Sequence, residues 1–150
     1  MSGVYLVVWD EDGRHKSPVL APTRGGWPHI TVAYTGKHVS RDELTGIASA
    51  PLAQTACTHI TLTKAYVNSF EQTDGTIRHD VLIGAEEPVA VEALRSAHFR
   101  TRSDASNFNM QPVHVTHSTS HESAGAAERV ARDLNASLPR SVMITGVTID

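Results

Sequence analysis

The sequence predicts an α+β fold with two pseudo-symmetric antiparallel sheet lobes, flanked by helices around a central cleft. Three observations predict it. Alternating, β-branched segments outnumber helical ones. A strand–helix–strand order occurs in both halves of the chain. Each half supplies one strand carrying His-x-Thr: "HIT" at 29–31 and "HVT" at 114–116. No linker or low-complexity tract divides the chain, so residues 1–150 are expected to form one domain.

The elements follow in order. "VYLVVWD" (4–10) is β-branched and aromatic, a strand. Residues 11–28 carry prolines and glycines without a period and read as a loop. "HITVAYT" (29–35) alternates, with His29, Thr31, Ala33 and Thr35 on one face. Ile30, Val32 and Tyr34 take the other face, so Tyr34 is expected in the core, away from His29. Ser40 three residues before Glu43 forms a capping box and starts a short helix over 40–50. Strands follow at 59–67 and, after a turn at Asp74-Gly75, at 75–85. Pro88 opens a helix over 88–100. "VHVTHS" (113–118) is a strand, 121–138 an amphipathic helix, and 140–149 the last strand. Asp10, Glu11 and Asp12 read as a solvated acidic turn.

Composition bounds the function. Hydrophobic residues make up 40 % and charged residues 19 %, as in a soluble globular protein. The one cysteine, Cys57, allows no internal disulfide. With no signal-peptide pattern and no membrane-length apolar run, a cytoplasmic setting is expected. The net charge of −3 argues against a grip on long nucleic acid, which needs a basic face. A small anionic ligand held by local cations remains compatible. Nine histidines favour imidazole chemistry. Oligomeric state is left open.

Residues i and i+2 of a strand project to one side, so His29 goes with Thr31 and His114 with Thr116. Two such strands side by side present two imidazoles and two hydroxyls to one pocket. One neutral imidazole takes a proton from an attacking hydroxyl or water, and the other, protonated, gives one to the leaving oxygen. The threonine hydroxyls donate to the non-bridging oxygens of a phosphoester. This chemistry requires no metal or cofactor, and none is expected. Which histidine is base and which is acid is left open.

Paired His-x-Thr motifs in this order, each with a proline just ahead (Pro28 and Pro112), resemble the 2H phosphoesterase (LigT-like) superfamily. The resemblance covers nearly the whole chain in the order and length of its elements. It implies a metal-independent phosphodiesterase acting on a small nucleotide or RNA end. The expected substrate is a 2′,3′-cyclic phosphate or a 2′-5′-linked oligonucleotide. The alternative it implies is the role of phage and viral members that destroy cyclic di- or trinucleotide immune signals. A binding module that has lost the chemistry is the rival from another class.

"HITLT" at 59–63 repeats the first motif letter for letter. Topology favours His29 over His59 as the partner of His114, because a helix and then a strand follow His29 and His114 but not His59. His114, His117 and His121 lie close in sequence. On a strand, however, His114 and His117 point to opposite faces, so no shared metal is expected. His117 reads as a strand edge and His121 as a helix start. Substrate-binding candidates are the aromatic rings of Trp27, Trp9, Tyr5 and Phe108, which can stack on a base, and the cations Arg24 and Lys37. Residues 100–109 read as a lip carrying Arg100 and Arg102.

Overall fold

β1 (Ser2–Asp10) and β2 (His29–Thr35) are followed by α1 (Arg41–Ala53) and β3 (His59–Glu71). β4 (Ile77–Ala85) leads to α2 (Val89–Leu94), β5 (His114–His121), α3 (Ala124–Asn135) and β6 (Arg140–Ile149). This computed structural model describes residues 2–10, 19–20, 28–36, 39–101 and 107–150. Among these, no helix is long and apolar enough to cross a membrane.

The strands form two antiparallel lobes, β6-β1-β2 and β3-β4-β5. Each motif strand is followed by a helix and then by a strand that joins the other lobe: β2, α1, β3 and β5, α3, β6. Two seams tie the lobes together. β3 pairs with β6 from His59 to Leu62, and β2 meets β5 at one pair, Ile30 with Val115. The order β1-β2-β5-β4-β3-β6 thereby closes.

The core lies on the helix-covered face. α1 packs on β6 and β1, and α3 on β3 and β4. Leu44, Ala48 and Leu52 of α1 meet Val4, Leu6, Val8, Val142 and Ile144, while α3 contributes Ala127, Ala131 and Leu134. Full burial of each large aliphatic side chain stabilises by roughly 1.5–3 kcal/mol. Ser40 and Ser123 cap α1 and α3, their Oγ atoms accepting the backbone N–H of Glu43 and Ala126 at 3.1 Å. Both capped helices present their buried residues to the sheet.

Several elements depart from the pattern reading. The helix expected over 88–100 is α-helical only to Leu94 and continues as a π-helical turn, Arg95–Phe99. β5 runs on to His121, which pairs with His79, so His121 ends a strand and does not start a helix. Asp10 is not solvated. It is fully buried at the end of β1, where Arg140 Nε and Nη2 both donate to its Oδ1 at 2.8 Å. Glu11 and Asp12 lie outside the described residues.

Tyr34 is the most consequential departure. Tyr5 pairs with Thr31, yet Val4 pairs with Ala33, so β2 carries one extra residue there. Such a bulge inverts the alternation beyond it. Ala33 joins the core, and Tyr34 swings to the side of His29 and Thr31.

Candidate active site

Ile30 and Val115 are both fully buried, so their side chains point into the core. Their chain neighbours point the other way. Because the strands are antiparallel, Thr31 lies toward the His114 end of this pair and His29 toward the Thr116 end. The four motif side chains therefore share one face of one seam. Thr31 and His114 are the deeper pair, 6 % and 8 % exposed, while His29 and Thr116 are half-buried.

His114 Nδ1 lies 3.2 Å from the Pro112 carbonyl oxygen. A carbonyl only accepts, so Nδ1 carries a proton and Nε2 is the nitrogen whose protonation can change. Burial pushes the pKa of His114 below the ordinary imidazole value, and the nearby positive charges of Arg95 and His29 push the same way. The Pro112 carbonyl opposes them. The net direction favours a neutral ring with a bare Nε2.

A run of aromatic rings joins the two imidazoles. The His29 ring centre is 5.2 Å from that of Tyr5, Tyr5 is 6.0 Å from Tyr34, Tyr34 is 4.8 Å from Phe108, and Phe108 is 5.4 Å from His114. All four contacts are edge-on, a favoured arrangement for aromatic quadrupoles. Burial, with Tyr34 and Asp150 nearby, pushes the Tyr5 phenol up to about 12, so it stays neutral.

Arg95 and Asn109 hold this run in place. Arg95 is fully buried on the π-helical turn; it bonds Glu87 at 2.8 Å and donates Nη2 to the carbonyls of Phe108 (3.2 Å) and Gln111 (2.8 Å). It thus anchors the 3₁₀ turn Asn107–Met110 that delivers Phe108 to His114. Sequence reasoning passed over Arg95 and Asn109 and put Tyr34 in the core. A lone Arg or Asn in a polar stretch carries no local signal, and a bulge is invisible in an alternating strand.

The remaining candidates divide. Tyr5 and Phe108 adjoin the imidazoles. Trp9 lies on the same face of β1, two residues beyond Val7, which pairs with His29. Trp27, Arg24, Lys37 and Arg102 fall outside the described residues. Arg100 bonds Glu92 at 2.6 Å and the Asn109 carbonyl at 2.9 Å, tying the turn down. His59 is exposed at the start of β3, paired with Met143 on the other seam. His117 and His121 share the hydroxyl of Ser118 at 3.0 and 2.6 Å. Among the described residues, no three His, Cys, Asp or Glu side chains are grouped to hold a metal ion.

No protein-family model and no curated protein matches this chain. Solved structures do. Usb1 of Kluyveromyces marxianus is similar at 14 % identity over 99 % of this chain and 96 % of that chain, with a TM-score of 0.50. The same protein solved with uridine monophosphate is also similar, at 14 % identity, the same coverage and a TM-score of 0.48. The likeness is one of fold: this chain shares the fold of Usb1, an α+β arrangement of the kind the sequence predicted.

Proposed function

We propose that this protein is a metal-independent phosphodiesterase for a small nucleotide or short oligonucleotide, cleaving a 2′,3′-cyclic phosphate or a 2′-5′ linkage. The observation that supports the reading is the Ile30–Val115 pair, which joins the two strands that carry the His-x-Thr motifs. His114 is the base. Its bare Nε2 takes the proton of the attacking hydroxyl or water as the new P–O bond forms. His29 is the acid, giving a proton to the leaving oxygen as the old P–O bond breaks. Thr31 and Thr116 donate to the non-bridging oxygens, where negative charge concentrates. In a following hydrolytic step the two histidines exchange roles.

The test is turnover in EDTA of 2′,3′-cyclic mononucleotides, 2′-5′ dinucleotides and cyclic dinucleotides, resolved by chromatography. His29→Ala and His114→Ala run beside the wild type, with His59→Ala as the third variant. Turnover that survives EDTA and His59→Ala but not the other two supports the reading. Turnover indifferent to His29 and His114, or none at all, overturns it.

A further inference from the structure

The seam has a second wall, which the mechanism above leaves idle. On β4, Leu82 pairs with Thr116 and Gly84 with His114. Tyr66 of β3 pairs with Leu82 from the other side. Paired residues share a face. Tyr66, Leu82 and Thr116 therefore form one row, toward the end of the Ile30–Val115 pair where His29 lies. Leu82 is only 4 % exposed yet stands apart from the main core cluster, as expected for an apolar floor on the site side. The Tyr66 ring is 37 % exposed. It leans over Gly84: a Cβ at position 84 would lie 3.7 Å from Tyr66 Cε1 and 3.3 Å from Thr63 Oγ1. The ring packs against Gly84, which pairs with His114 on the neighbouring strand.

The first lobe repeats the device. A Cβ at Gly3 would lie 2.3 Å from the Tyr5 hydroxyl, so Tyr5 also lies over a glycine. Each lobe thus packs one tyrosine against a glycine beside the motif seam, and of the two Tyr5 belongs to the aromatic run described above.

We propose that Tyr66, Leu82 and Gly84 form a nucleoside subsite that receives the second arm of a phosphodiester, across the scissile phosphate from Phe108. A diester has two arms and the seam has two walls. An aromatic ring above an apolar floor suits a nucleobase, because every base has a π-face. The subsite rests on the phosphodiesterase reading for its place beside the phosphate. It makes the enzyme selective for substrates with a nucleoside on both sides.

The test compares a 2′-5′-linked diuridylate with 2′,3′-cyclic uridine monophosphate. In Tyr66→Ala and Gly84→Val, kcat/KM is expected to fall about tenfold more for the dinucleotide than for the cyclic mononucleotide, and Tyr66→Phe restores it. Equal losses for the two substrates, or none, overturn the subsite. A calorimetric arm measures dinucleotide affinity in the inactive His114→Ala background, with and without Tyr66→Ala. Weaker binding without the ring supports the wall even if no ester is turned over, in which case the phosphodiesterase reading alone fails. Unchanged or undetectable binding in both overturns the wall.

Discussion

The side-chain amide of Asn109 is bonded to both backbone polar groups of Tyr34. Its Oδ1 accepts the Tyr34 N–H at 2.9 Å and its Nδ2 donates to the Tyr34 carbonyl at 3.0 Å, with the Phe99 carbonyl at 3.2 Å. One side chain thus stands in for a neighbouring strand beyond the bulge. It ties the turn bearing Phe108 to β2, 75 residues away. Asn109→Ala leaves these groups unpaired in a buried setting, at a cost of about 1–3 kcal/mol. A lower urea midpoint and a raised KM are both expected, because Phe108 comes loose with the turn.

Each motif histidine is expected to matter alone. His29→Ala and His114→Ala should each lower kcat by about a hundred- to ten-thousand-fold, the usual worth of a positioned acid or base. The double variant should fall well short of the product of the two losses, since the pair acts as a unit. Single-turnover kinetics on the three variants checks this.

The environment of His114 sets the pH dependence. The groups facing it are Arg95, His29, the Phe108 ring and the Pro112 carbonyl. With its pKa depressed, the acid limb of kcat/KM belongs below about pH 6.5, the ordinary imidazole value. Stability follows the same sign. The unfolded chain, with an ordinary imidazole, binds a proton first on acidification, so the contribution of His114 is complete above about pH 6.5 and is lost as pH falls below it. Urea midpoints from pH 8 to 5 are expected to drop more steeply for the wild type than for His114→Gln.

Arg95 acts on the site through other groups. Arg95→Met removes a positive charge near His114 and two donors to the turn. The acid limb should therefore move toward higher pH, and stability should fall by about 2–4 kcal/mol from carbonyls left unpaired. A pH–rate profile separates the two effects, because a purely structural role lowers the midpoint without moving the limb.

On the proposed reading Phe108 stacks on a base, so its loss is expected to be a binding defect. Phe108→Ala is expected to raise KM by roughly tenfold with a smaller change in kcat, the worth of one base–aromatic contact. Phe108→Tyr should retain near wild-type affinity. Steady-state kinetics on a 2′,3′-cyclic mononucleotide reads both.

Local chemistry settled what lies within one element. β-Branched alternation marked the six strands, and Ser40 with Glu43 marked the start of α1, because these signals act over two to four residues. The two His-x-Thr pairs were legible for the same reason: strand parity alone puts His29 beside Thr31 and His114 beside Thr116. Tertiary structure decided the rest. "HIT" at 29–31 and at 59–61 are identical; the order of the following elements favoured the first, and the structure gives the two different partner strands: β5 across from Ile30, β6 across from Ile60. Tyr34 faces the site because a bulge, set by how β2 registers against β1, reversed its parity. Tyr66 lies on the site face because it pairs with Leu82, which pairs in turn with Thr116, and Asp10 is buried because Arg140 arrives from the far end of the chain. Those contacts join residues that no local pattern connects, so burial and pairing across strands had to assign them.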